Sequence, residues 1–157
     1  MDGVQCSVVI PVYNSSCSIE EVVERTISLF ETDGIVFEII LVDDYSRDDS
    51  LSKINKMSSR DKRISIIPLE KNHGQQGAIK AGINIAKGEY IITMDDDLEH
   101  QPDDIIKLIE EIEKGYDVVY AIPQNRKYPF YRKLGSRLVD VFFTIWKKLL
   151  LDGIFIL

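Results

Sequence analysis

Only two cysteines occur in the 157 residues, Cys6 and Cys17, and they share no CxxC or other metal-ligand spacing. Neither a disulfide framework nor a thiolate metal site organises such a chain, and both residues read as reduced structural thiols. Uncharged runs are short, none reaching the ~18 residues of a membrane-spanning helix. The opening residues, MDGVQCSVVIPVYN, lack a basic segment followed by an apolar stretch and a small-residue cleavage site, so the protein is expected to remain in the cytoplasm. GxGxxG and GxxxxGKS/T are both absent, which removes a standard dinucleotide fingerprint and a P-loop. Positive charge is scarce over residues 1–123, where 12 Lys and Arg face 24 Asp and Glu, a net of −12. Such acidity argues against general nucleic-acid binding.

What is present is a globular composition, 45% hydrophobic and 29% charged, in a length that suits one domain with a real core. Short apolar runs rich in Val and Ile recur at residues 7–12 (SVVIPV), 37–42 (FEIILV), 64–69 (ISIIPL), 90–94 (YIITM) and 117–122 (DVVYAI). Helical patterns separate them. Ser18 with Glu21 forms a capping-box pattern opening a helix to about Thr32, and Ser46 with Asp49 opens another to about Ser59. A third spans Gln75 to Ala86, and Pro102, followed by Asp103 and Asp104, opens a fourth that ends near Lys114. Strands alternating with helices predict a doubly wound, mostly parallel α/β sheet over residues 1–123, with no internal repeat.

Ligands of such sheets bind beyond the carboxyl ends of the strands. Polar residues collect there: Tyr13-Asn14 after the first strand, Asp43-Asp44 after the second, Asn72-His73-Gly74 after the third and Asp95-Asp96-Asp97 after the fourth. Adjacent carboxylates repel by about 3 kcal/mol per pair at ~5 Å and an effective dielectric of ~20. A solvated, helix-capping loop tolerates that, and a hard divalent cation such as Mg²⁺ or Mn²⁺ relieves it. In an extended exit Asp95 and Asp97 point to one side, Glu99 continues that side, and Asp96 points to the other. The NHGQQG segment, residues 72–77, offers backbone N–H groups and a helix start to an anion.

The ordered set VVIPVYN, EIILVDDYSRDDS and NHGQQGAIKAGINIAKGEYIITMDDDLEHQP resembles the family 2 glycosyltransferases of GT-A fold, and among them the polyprenyl-phosphate and dolichol-phosphate mannosyltransferase-like branch. The likeness covers about residues 6–140. It implies inverting transfer of a sugar from a nucleotide diphosphate, of UDP or GDP type, with Mg²⁺ or Mn²⁺ as cofactor. By that resemblance Pro11, Tyr13, Asn14, Asp43, Asn72, Gly74 and Gln75 contact the nucleotide, with Asp96 beside them. Asp95 and Asp97 match the metal-binding acids of a DxD motif and are expected to be needed for catalysis, with Glu99 a third ligand. Three departures stand out: Tyr45 occupies a position where glycine is common, Asp96 one where alanine is common, and Glu99 one where close relatives often have glutamine.

Residues 124–157 differ in charge, with 7 Lys and Arg against 2 Asp and Glu, a net of +5. Arg132 and Ser136 lie one helical turn apart and resemble the branch's acceptor-phosphate residues; Arg126 is a looser match upstream, and Arg132 is expected to act in catalysis. A lipid phosphate is already ionised near neutral pH and needs no general base. LVDVFFTIWKKLLL, residues 138–151, is expected to form a C-terminal amphipathic helix, lying on the inner membrane face or packing on the sheet. The segment is thus expected to begin an acceptor- and membrane-facing region, incomplete because no later ED pair or QxxRW follows. Two alternatives are a non-catalytic nucleotide-sugar-binding module and a family 2 enzyme acting on a saccharide hydroxyl. A receiver domain fits poorly, since its acid pair follows the first strand rather than the second.

Overall fold

The computed structural model describes residues 3–96, 103–121 and 154–156. Four parallel strands, β1 (Cys6–Val12), β2 (Phe37–Asp43), β3 (Ile64–Pro68) and β4 (Tyr90–Thr93), form the sheet, with a short β5 (Ile154–Ile156) at its edge. The order is β3-β2-β1-β4-β5, every pair parallel. Helices α1 (Ile19–Thr32), α2 (Ser50–Arg60), α3 (Gln75–Ile83) and α4 (Asp103–Ile112) complete the alternation. All seven residues of β1 and of β2 are buried, as continuous apolar runs require when both faces are covered.

Alternation along the strands assigns those faces. Val8, Ile10, Val12, Ile39 and Leu41 pack in one cluster with Ile19, Val22, Val23 and Phe30 of α1, Ile54 of α2, and Ile105, Leu108 and Ile112 of α4. Val9, Ile40 and Val42 point the other way and pack with Ala78 of α3. Helices on both faces make the sheet doubly wound, as the strand and helix pattern implies. The approach of α3 is close: a Cβ added to Gly82 would stand 2.4 Å from Val9 Cγ1 and 3.1 Å from Val42 Cγ2.

The end of the sheet remote from the polar exits is locked by a buried polar network. The Ser7 hydroxyl donates to Glu38 Oε1 at 2.7 Å, and the same carboxylate oxygen accepts the Lys87 N–H at 2.7 Å. The Gly88 N–H donates to Ser7 Oγ at 2.8 Å. Ser7 is fully buried and Glu38 nearly so, and each finds partners, as buried polar groups must.

Four details depart from the sequence patterns. Residues 117–121 form no strand and contribute a single bridge residue at Tyr120; the free edge of β4 pairs with Ile154–Ile156 instead, and residues 117–121 are not deeply buried. Helix α2 begins at Ser50 rather than after Ser46, because Ser46 is used elsewhere: its hydroxyl accepts the Asn14 N–H at 3.1 Å and its N–H donates to Asp43 Oδ2 at 3.2 Å. The capping box at α1 has the right position but not the bonds. Ser18 is the N-cap without a side-chain cap, its hydroxyl turned to the Ser15 carbonyl at 3.4 Å, while Glu21 pairs with Arg25. Helix α3 ends at Ile83, short of Ala86. Helix α4 starts at Asp103; Pro102 and the expected helix over 138–151 lie outside the described residues.

Candidate functional site

In this strand order the chain runs outward from β1 through β2 to β3, then returns to the other side of β1 as β4. The reversal leaves a crevice at the carboxyl ends of β1 and β4, the position where open α/β sheets receive ligands. A cleft of about 430 Å³ lies there, lined by Pro11, Val12, Tyr13, Asp44, Asn72, Gly74, Gln75, Asp95 and Asp96. Seven of the residues expected at a nucleotide or metal site are therefore gathered: Pro11, Tyr13, Asn72, Gly74, Gln75, Asp95 and Asp96. Asn14 and Asp43 adjoin the cleft in sequence without lining it. Asp97, Glu99, Arg126, Arg132 and Ser136 lie outside the described residues.

The loops around the cleft are stitched by side chains. From the β1–α1 loop, the Ser15 N–H donates to Ser50 Oγ at 2.8 Å and the Ser16 N–H to Asp48 Oδ2 at 3.0 Å. The Arg47 N–H returns a bond to Asn14 Oδ1 at 2.8 Å. Desolvation works against the charge of Asp48, but bonds from Ser50 and Ser16 outweigh it and hold the carboxyl well below the usual carboxylate range. Asn14 and Tyr45, with φ of +55° and +66°, both take the left-handed region, so the chain reverses sharply as it leaves β1 and β2. The glycine common in the resembled family at position 45 has its physical reason here.

Asp44, named among the polar strand exits but given no contact of its own, lines the cleft. Only 3% exposed, it joins three strand exits: its N–H donates to the Val12 carbonyl at 2.8 Å, its Oδ1 accepts the His73 N–H at 2.6 Å, and its carbonyl accepts Asn72 Nδ2 at 3.2 Å. The doubled acid of VDD was the available signal, since a buried second acid must be satisfied by neighbouring loops. Its neighbour Asp43 is 2% exposed, and Asp43 Oδ1 has no hydrogen-bond partner among the described residues. Gly74, at φ +76°, caps α3 with its N–H on Asn72 Oδ1 at 3.1 Å and turns the chain into the helix. The first side chain of that helix, Gln75, donates Nε2 to Asp95 Oδ1 at 2.5 Å. Asp96 accepts instead from the Ser15 hydroxyl of the β1–α1 loop. The two adjacent acids thus bind different walls of the cleft.

Among the described residues no three His, Cys, Asp or Glu side chains cluster as a metal-ligand set. Those that line the cleft include three carboxylates, Asp44, Asp95 and Asp96, and no lysine or arginine. Oxygen donors of this kind fit a hard divalent cation rather than a soft one.

A parallel, doubly wound sheet with an acidic cleft at its switch point defines an α/β domain of GT-A type. Residues 7–154 match the model for Glycosyl transferase family 2, and the chain belongs to that family. It is 42% identical over 135 residues to an undecaprenyl-phosphate 4-deoxy-4-formamido-L-arabinose transferase of Edwardsiella ictaluri, covering 85% of this chain and 42% of that protein. A protein of the same description from Pseudomonas paraeruginosa is 42% identical over 136 residues, covering 86% and 40%. The chain therefore spans less than half the length of these curated relatives. Among solved structures, S. aureus TarS 1-349 in complex with UDP-GlcNAc is similar at a TM-score of 0.61 and 25% identity, covering 80% of this chain and 37% of TarS 1-349. TarS 1-349 without ligand superposes equally well, at 0.61 and 23% identity.

Proposed function

We propose that the cleft binds the nucleotide diphosphate of an activated sugar and that the whole protein transfers this sugar, with inversion, to a polyprenyl phosphate at the cytoplasmic face of the membrane. The observation that carries the reading is the gathering of Pro11–Tyr13, Asp44, Asn72, Gly74, Gln75, Asp95 and Asp96 on one switch-point cleft. Family membership gives that cleft its chemistry, and the names of the relatives point to undecaprenyl phosphate as the acceptor class. The UDP-GlcNAc complex of TarS supports a nucleotide sugar as donor and favours UDP over GDP.

A diphosphate cannot sit against Asp44, Asp95 and Asp96 without compensating positive charge, and no described lining residue supplies it. Asp95 and Asp97, joined by Glu99, would hold Mg²⁺ or Mn²⁺. Bound there, the cation neutralises the charge that develops on the leaving diphosphate. Gln75 fixes the rotamer of Asp95 toward the cleft, and the buried Asp43 Oδ1, which has no partner among the described residues, is an acceptor that a nucleobase N–H would satisfy. The basic tail, through Arg126, Arg132 and Ser136, would receive the lipid phosphate.

The test is transfer from labelled UDP, GDP and dTDP sugars to undecaprenyl phosphate with Mn²⁺. Asp95→Asn is expected to lower kcat/KM by on the order of 10²–10³-fold. Activity that survives this change removes the metal role. Because the chain covers 42% of a curated relative, a second reading is a donor-binding module alone. It predicts Mn²⁺-dependent stabilisation by nucleotide without turnover, even with lipid added.

A further inference from the structure

Asp96 shares the cleft with Asp95 yet binds a different wall. Its Oδ2 accepts the Ser15 hydroxyl, while Asp95 Oδ1 accepts Gln75 Nε2 from α3. Ser15 is itself fastened by its backbone: its N–H donates to Ser50 Oγ at 2.8 Å, and Ser50 is fully buried at the start of α2, where its own hydroxyl donates to Asp48 Oδ1 at 2.5 Å. A continuous chain of bonds therefore runs from the end of β4 through the β1–α1 loop to the first turn of α2. It passes directly behind Tyr13 and Asn14, where the left-handed Asn14 turns the chain.

From this geometry we propose that Asp96 is a positioning residue for the nucleotide, not a metal ligand: through Ser15 it holds the β1–α1 loop, and with it Tyr13, against the cleft. The proposal rests on the donor-binding reading and deepens it. The physical basis is the fixed direction of the two carboxylates. An oxygen committed to a hydroxyl on one wall orients the Asp96 carboxyl away from the Asp95 side, and an acceptor that ties a loop to a strand end lowers the ordering that a ligand must otherwise bring about. A charged acceptor suits the role because its hydrogen bond is stronger than a neutral one.

The experiment is calorimetric titration of UDP and GDP, each with and without Mn²⁺, into wild type, Ser15→Ala, Asp96→Ala, Asp96→Asn, the Ser15→Ala/Asp96→Ala double variant and Asp95→Asn. Thermal melts alongside report folding. Loss of one charge-assisted bond is expected to weaken nucleotide binding in the presence of Mn²⁺ about tenfold in Ser15→Ala and in Asp96→Ala. The double variant is expected to match the singles, since they break one bond, and Asp96→Asn, which keeps an acceptor oxygen, to recover most of the affinity. Mn²⁺ enhancement is expected to persist in every Asp96 variant and to vanish in Asp95→Asn. Additive losses in the double variant, or Mn²⁺ enhancement lost in Asp96→Asn as in Asp95→Asn, would overturn the proposal while leaving donor binding intact. Should Asp96→Ala not fold, Ser15→Ala binding nucleotide like wild type overturns it equally. Wild type that binds neither nucleotide overturns the donor reading itself, and this inference with it.

Discussion

Tyr45 shows how a single residue records a constraint of the site. The turn after β2 holds φ at +66°, where an L side chain crowds its own backbone at a cost of about 1–2 kcal/mol. Nothing buried rewards the ring, which is about half exposed. Tyr45→Gly is expected to be more stable than Tyr45→Ala by about 1 kcal/mol in urea unfolding, because both lose the ring and only one relieves the backbone. Equal midpoints would mean that the turn is not strained. The two thiols separate as sharply. Cys6 is buried at the start of β1, and burial, followed by the negative charges of Glu89 and Glu113, pushes its thiol up to about 12. Cys17 is exposed. Iodoacetamide at pH 8 is expected to label Cys17 and to leave Cys6 unmodified until urea unfolds the chain, as read by mass spectrometry, since only a thiolate reacts. Labelling of Cys6 in the folded protein would contradict its packing.

At the scale of the element, α3 carries the part of the cleft opposite β1. Its contact with the sheet depends on Gly82, where an added methyl would meet Val9 and Val42, both fully buried and without room to move. Gly82→Ala is expected to lower the melting temperature by roughly 3–10 °C and to weaken nucleotide binding, as α3 shifts and Gln75 leaves Asp95. Unchanged affinity would show that α3 positions nothing. The first four strands were legible as unbroken apolar runs, which in β1 and β2 reflect burial on both faces. The run at 117–122 has the same composition but loses to residues 154–156 for the edge of β4, and competition for a ladder leaves no mark on a local pattern. Start signals failed for a related reason. Ser46 carries the residue type of an N-cap, yet its hydroxyl is taken by Asn14, 32 positions away. In the cleft, the strand-exit rule found Tyr13, Asp44, Asn72, Gly74, Asp95 and Asp96, and the family resemblance added Pro11 and Gln75, whereas the bonds of Asp44 to Val12, Asn72 and His73 left no mark on the sequence because only the folded chain brings them together.

For the whole molecule the governing quantity is the uneven charge. Residues 1–123 sum to −12 and residues 124–157 to +5, so an anionic bilayer repels the sheet domain and attracts only the tail. Among the described residues no helix is long and apolar enough to cross a membrane. Each Lys or Arg near a phosphatidylglycerol surface contributes about 1 kcal/mol, so replacing Arg126, Arg132 and Arg137 together by Gln is expected to reduce vesicle partitioning by on the order of 10²-fold. Cosedimentation with vesicles of 30 mol%, a representative ~30% anionic content, phosphatidylglycerol in phosphatidylcholine measures it. Raising NaCl from about 0.05 to about 0.5 M shortens the screening length to a few ångströms and is expected to release wild type to the level of the triple variant. Equal binding to pure phosphatidylcholine, or binding indifferent to salt, would instead assign attachment to the apolar residues of 138–151 and take the basic tail out of the membrane contact.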